Sequence, residues 1–127
     1  MWRSLLLSIA LTLTVVSPAL AKIKWFHSPS KNISCEVSSG GERGAYASCQ
    51  SLQKPRSVTL SKQGTLEVCH GTKCLGDPPI DVVFELGYGK SVEVGNFKCT
   101  SKKTGMCCSV SPSGHGFELS RDALDRF

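Results

Sequence analysis

Apolar and polar residues alternate with a period of two along most of the chain, and no segment sustains the spacing of an amphipathic helix. Ile33, Cys35 and Val37 alternate with Ser34 and Glu36, and Ala45, Ala47 and Cys49 repeat the pattern beyond the loop Ser38-Ser39-Gly40-Gly41-Glu42-Arg43-Gly44. Val58 and Leu60 mark a third strand, and Leu66 and Val68 a fourth beyond Gly64. Ile80, Val82, Phe84 and Leu86 alternate with Asp81, Val83 and Glu85, the clearest strand pattern in the chain. Asp77-Pro78-Pro79 before it reads as a turn or a poorly bonded edge segment. Val92 and Val94 follow the link Gly87-Tyr88-Gly89-Lys90. Ser120 is placed to cap a short turn from Arg121 to Arg126, with Asp122 near its positive end. The aromatic pair Trp25-Phe26 is expected to anchor the start of the domain on its core. Short strands between glycine-rich turns predict an all-β fold, a small barrel or sandwich of antiparallel strands.

The same alternation pairs cysteines. Phe97, Cys99 and Ser101 share one face of a strand, and Met106, Cys108 and Val110 share one face of the next. Lys102-Lys103-Thr104-Gly105 supplies a polar turn with a glycine. Setting Ser101 opposite Met106 sets Cys99 opposite Cys108, close enough for a disulfide, and leaves Cys107 unpaired on the other face. Folding the two earlier strands together brings Cys35 to Cys49, and Cys69 with Cys74 would close a small loop. Three disulfides and one free cysteine are therefore predicted.

The N-terminus changes how those cysteines are read. A basic start at Arg3, an apolar run from Leu5 to Val16, the break Ser17-Pro18 and the small-x-small tripeptide Ala19-Leu20-Ala21 read as a signal peptide over residues 1–21. The apolar run is short for a membrane span, so no stable insertion is expected after cleavage. Of 127 residues, 106 follow the leader, one small domain over residues 22–127 that contains all 7 cysteines. In an exported chain of that size, cysteines read first as disulfides, and the expected location is secreted or periplasmic. Loss of Arg3 leaves 14 Lys and Arg against 10 Asp and Glu, a mild +4 without a dense basic stripe. That argues against a nucleic-acid partner.

Several segments, taken in order, resemble a family of small secreted bacterial domains of unknown function. Phe26-His27-Ser28-Pro29-Ser30-Lys31-Asn32-Ile33-Ser34-Cys35 is similar to its opening Phe-x-Ser-Pro-Ser-Gly-Asn-Ile-x-Cys, with Lys31 in place of the glycine. Leu86-Gly87-Tyr88-Gly89 resembles its middle Leu-x-Tyr-Gly. Cys108, then Gly114-His115-Gly116-Phe117-Glu118-Leu119-Ser120-Arg121 and the terminal Phe127, resembles its end pattern. The family pattern has Thr-Cys where this chain has Cys107-Cys108, which implies that Cys108 is the structural cysteine and Cys107 the additional one. The resemblance implies a location and a fold type and supplies no activity.

The candidate chemistry is sparse. In Gly114-His115-Gly116-Phe117 the glycines could let His115 meet a ligand, or could simply make a tight bend with Phe117 in the core. His115, Phe117 and Arg121 are the expected binding surface, at one end of the domain. Cys69, His70, Cys74 and His27 lack the tight spacing of strong zinc sites, so no metal or other cofactor is expected. Cys107 with His115 would suit a thiol nucleophile and base, and Glu93, Glu118 and His115 would suit acid–base work, but nothing in the pattern places them together. Asn32-Ile33-Ser34 is a glycosylation sequon, relevant only in a eukaryotic secretory pathway. The chain reads as a binding or interaction domain for a protein or a cell-envelope ligand rather than an enzyme. The alternatives are a small secreted hydrolase using His115, or an inhibitor of a foreign enzyme that presents the Cys69–Cys74 loop. Cys107 could also link two chains as a dimer.

Overall fold

A computed structural model describes residues 10–15 and 20–127. The signal-peptide reading of residues 1–21 falls largely on residues 1–9 and 16–19, which lie outside the described residues. The described residues form two facing sheets from eleven strands. The first is built from β1 (Ile23–His27), β2 (Ile33–Ser39), β3 (Ala45–Ser51), β4 (Arg56–Ser61), β5 (Leu66–His70) and β6 (Val83–Glu85), in the order β5-β4-β3-β2-β1-β6. The second holds β7 (Ser91–Val94), β8 (Phe97–Lys102), β9 (Gly105–Val110), β10 (Gly116–Leu119) and β11 (Leu124–Arg126), in the order β11-β10-β9-β8-β7. All pairings are antiparallel except β1 with β6. One 3-10 turn, Thr72–Cys74, follows β5. Neither sheet closes on itself, so of the two predicted all-β architectures the molecule is the sandwich.

The period-two pattern explains the core. The inward positions of β2, β3 and β4, including Ile33, Cys35, Val37, Ala47, Cys49, Val58 and Leu60, are buried. They meet Phe97, Met106, Cys108, Val110, Phe117 and Leu119 of the second sheet. The β8–β9 register has Ser101 opposite Met106, Thr100 opposite Cys107 and Cys99 opposite Cys108, as the sequence predicts. The disulfides are Cys35–Cys49, Cys69–Cys74 and Cys99–Cys108, with Cys107 free. The bridges of the two sheets stack in the core, with Cys49 Sγ 3.8 Å from Cys108 Sγ.

Ser28-Pro29-Ser30-Lys31-Asn32 is a structural clasp. Lys31 N–H donates to the Ser28 carbonyl at 2.9 Å, and Ser28 Oγ accepts from Ile33 N–H at 3.2 Å. Lys31 sits at φ 62°, a left-handed backbone that suits glycine better. Asn32 ties this turn to the next hairpin, accepting from Gln53 N–H at 2.9 Å and donating to Ser51 Oγ at 3.2 Å.

Three expectations are corrected. The segment from Ile80 to Leu86 forms only the three-residue edge strand β6, and Ile80 lies in a turn at 93 % exposure. β7, the edge of the second sheet, packs over β2, so β6 lies at the margin of the sandwich and gains little cover. The C-terminal turn is not helical. Ser120 Oγ accepts from Ala123 N–H at 2.9 Å and closes a turn into β11. Of the two expected anchors, only Phe26 enters the core; Trp25 points to the opposite face of β1 and is half-buried there.

Candidate functional site

The surface expected around His115, Phe117 and Arg121 does not exist as one surface. Phe117 is fully buried, so its ring has nothing to offer a ligand. Its backbone pairs with Cys108 on one side and Arg126 on the other. His115 and Arg121 lie beyond opposite ends of β10, roughly 20 Å apart along extended chain. His115 is exposed beside the β4–β5 turn, where a Cβ on Gly64 would approach its ring at 3.0 Å. Its backbone N–H donates to Ser113 Oγ at 3.3 Å and its carbonyl accepts from Val110 N–H at 3.0 Å. Arg121 is exposed, with its Nε 3.6 Å from Asp122. Lys54, at 3.3 Å, and then Arg121 hold the Asp122 carboxyl below the usual carboxylate range.

The remaining chemical candidates also separate. His27 is on β1 and His70 on β5, with three strands between them, roughly 19 Å across the sheet. Among the described residues, Cys35, Cys49 and Cys108 are the one group of potential ligand atoms close enough to share an ion, and all three sulfurs are in disulfides. Cys107 faces outward from β9 between Thr100 and Glu118. Burial pushes its thiol pKa up, and Glu118 adds to this while Lys102 partly opposes it. A thiol held protonated is a poor nucleophile.

The outer face of the first sheet gathers polar groups instead. Trp25 of β1, Glu36 of β2, Ser48 of β3 and Thr59 of β4 lie in one row across the strands. His27, Ser34, Gln50 and Ser57 form the next row. Strand alternation that sends Cys35, Ala47, Cys49 and Val58 inward sends these side chains outward. Tyr46 O–H donates to Glu36 Oε1 at 2.8 Å, and the hydroxyls of Ser48 and Thr59 lie 2.9 Å apart. Burial, then Glu36, raises the Tyr46 phenol pKa above its ordinary range, with Arg43 pulling the other way.

The segment after β5 folds over this face and becomes a wall. Gly71 N–H donates to the Pro55 carbonyl at 2.8 Å, and Cys69–Cys74 closes the loop covalently. The Gln50 amide then grips Gly76 twice, donating to its carbonyl and accepting from its N–H, each at 2.8 Å. Between the wall and the sheet lies a cleft of about 230 Å³, with Trp25, Glu36, Ser48, Ser57, Asp77 and Pro78 in its lining. A second cleft of about 580 Å³ runs on past Tyr46 and Thr59 to Arg43, Lys62 and Gln63. Both are lined by Glu36 and Ser48, so the two clefts adjoin on the outer face of the sheet.

Sequence reasoning passed over these residues. Their only signal was that they are the polar partners of the apolar alternation, and polar outward positions ordinarily mean a wet surface. The folding of the Cys69–Pro78 segment onto them had no sequence signature.

Fold and groove together define a disulfide-stapled β-sandwich with a polar cleft across one outer face. Comparison of the chain with protein-family models, curated proteins and solved structures finds no match. The three intrachain disulfides are chemistry of an oxidising compartment. Among the described residues no helix is long and apolar enough to cross a membrane.

Proposed function

We propose that the chain is an exported binding domain of the cell envelope, periplasm or surrounding medium, released by cleavage after Ala21. Its ligand is an uncharged, hydroxyl-rich chain of the oligosaccharide class, held on the outer face of the six-stranded sheet. The resemblance to small secreted bacterial domains fits the same reading. The pair of adjoining clefts, lined from Trp25 to Lys62 and sharing Glu36 and Ser48, is the observation that carries it.

Three properties of the groove favour this ligand class. Trp25 is half-buried, which leaves part of an indole surface for the apolar C–H face of a sugar ring. Ser34, Ser48, Ser57 and Thr59 offer hydroxyls, and Glu36 keeps a second carboxylate oxygen beyond the one bonded to Tyr46. The formal charges balance, with Glu36 and Asp77 against Arg43 and Lys62, so there is no net attraction for a polyanion. Side chains carried on paired strands are already ordered, which lowers the entropic cost of binding. The Cys69–Cys74 loop, with Gly76 pinned to Gln50, serves here as a groove wall rather than a free inhibitory loop.

Calorimetric titration with cellohexaose and chitohexaose tests the reading. The parent chain is expected to bind at least one of them. Trp25→Ala should weaken binding about tenfold, the scale of an aromatic anchor. Ser48→Arg should abolish it by filling the groove, while His115→Ala should leave it unchanged. Absence of binding to both sugars, or equal binding by parent and Ser48→Arg, overturns the assignment.

A further inference from the structure

We propose that the free edge of β6 accepts an extended strand from a partner protein, in which apolar residues alternate with Lys or Arg. Among the described residues β6 is the last strand of its sheet and pairs only with β1. Phe84 sets its ring 5.8 Å from the buried Phe26 in a tilted pair and yet stays 41 % exposed, because none of the described residues covers its outer side. Val82 just before the strand is 52 % exposed. Natural sheet edges are usually blunted by very short strands, lysines, prolines or bulges. β6 is short, at three residues, but has none of the other devices. Here Pro78 and Pro79 lie upstream of the paired residues, and no Lys or Arg occurs between Leu75 and Gly89.

The chemistry of the two faces selects the partner. Phe84 is on the core side, so Val83 and Glu85, which pair with Trp25 and His27, are on the outer side. Asp81, in the turn just before the strand, adds a second exposed carboxylate beside this edge. A strand laid along this edge would place every second side chain beside Val82 and Phe84, where apolar residues gain by burial. The intervening side chains would lie beside Glu85 and near Asp81, where cations are favoured across the strands. Backbone bonding to the open edge would supply affinity, and the alternation would supply selectivity. A second copy of this chain fits less well, because β6 against β6 gathers the carboxylates of Asp81 and Glu85 from both copies at one edge without a basic residue on either strand.

The test uses the oxidised chain and two labelled peptides, Lys-Val-Lys-Val-Lys-Val-Lys and Glu-Val-Glu-Val-Glu-Val-Glu, followed by fluorescence anisotropy. The basic peptide should bind about tenfold more tightly, as attraction to Glu85 and the neighbouring Asp81 replaces repulsion from them. The doubly substituted chain Asp81→Lys/Glu85→Lys should reverse that order. Both positions are exposed, so the fold should survive, which circular dichroism verifies. Val82→Lys should weaken both peptides. Equal binding of the two peptides, binding of neither, or an order unchanged in the double variant overturns the proposal. Dimerisation seen by sedimentation and abolished by Val82→Lys also overturns it, by giving the edge to a second copy.

Discussion

Gly116 shows how one residue can look functional and be structural. A Cβ there would collide with the Cys108 carbonyl oxygen and would come within 2.9 Å of the Phe127 ring. The neighbouring chains approach this closely because Gly116 and Phe127 exchange two backbone hydrogen bonds, at 3.0 and 3.2 Å. Gly116→Ala should therefore cost about 2–3 kcal/mol, read as a lowered midpoint of thermal or denaturant unfolding. A neutral result would refute the close approach. Tyr46 gives a pH prediction. Its folded-state pKa is raised, so its contribution is present below the unfolded value of about 10 and is lost as the phenol ionises at higher pH. Ultraviolet titration should show the phenol ionising above the free-tyrosine value, and Glu36→Gln should move it part of the way back, because burial is the larger cause. Cys107 should be the one thiol alkylated in the oxidised chain, slowly at neutral pH, because its pKa is raised. Mass spectrometry that finds two or more labels would contradict the disulfide pairing.

At the level of elements, the best-read parts were those in which local pattern and pairing agree. The β8–β9 hairpin joined two period-two strands through a glycine turn, so its register and its disulfide followed from counting. Ile80 to Leu86 had an equally strong alternation and failed, because alternation states which residues want cover and not whether a second sheet reaches them. β10 was missed because its four residues begin at a glycine and read as a bend. The disulfides should differ in weight. Cys99 and Cys108 are both fully buried and touch the other core bridge, whereas Cys69–Cys74 is peripheral. Paired Cys→Ala substitution of Cys99 and Cys108 should cost about 4–5 kcal/mol. The same substitution at Cys69 and Cys74 should cost nearer about 2 kcal/mol. Denaturant midpoints rank them, and a reversed order would contradict the stacked core. Loss of the peripheral bridge should weaken ligand binding more than its stability cost suggests, because it frees the groove wall.

For the whole molecule, fold class and disulfides were legible because both follow from alternation along one strand or across one hairpin. The groove was not legible, because it arises where a loop stapled at Cys69–Cys74 returns over strands far from it in sequence, through Gln50 and Gly76. The Gly-His-Gly motif drew attention by its residue types, yet its backbone is committed to turning the chain into β10 while Phe117 fills the core. The most direct measurement is a nuclear magnetic resonance map of backbone and indole shifts in the oxidised chain, titrated with cellohexaose and chitohexaose. Binding in the groove predicts perturbations centred on Trp25, Glu36, Ser48, Gln50 and Gly76, with the outer face of β8–β9 unchanged. Shifts centred on His115 or Arg121, or no shifts at all, would contradict it.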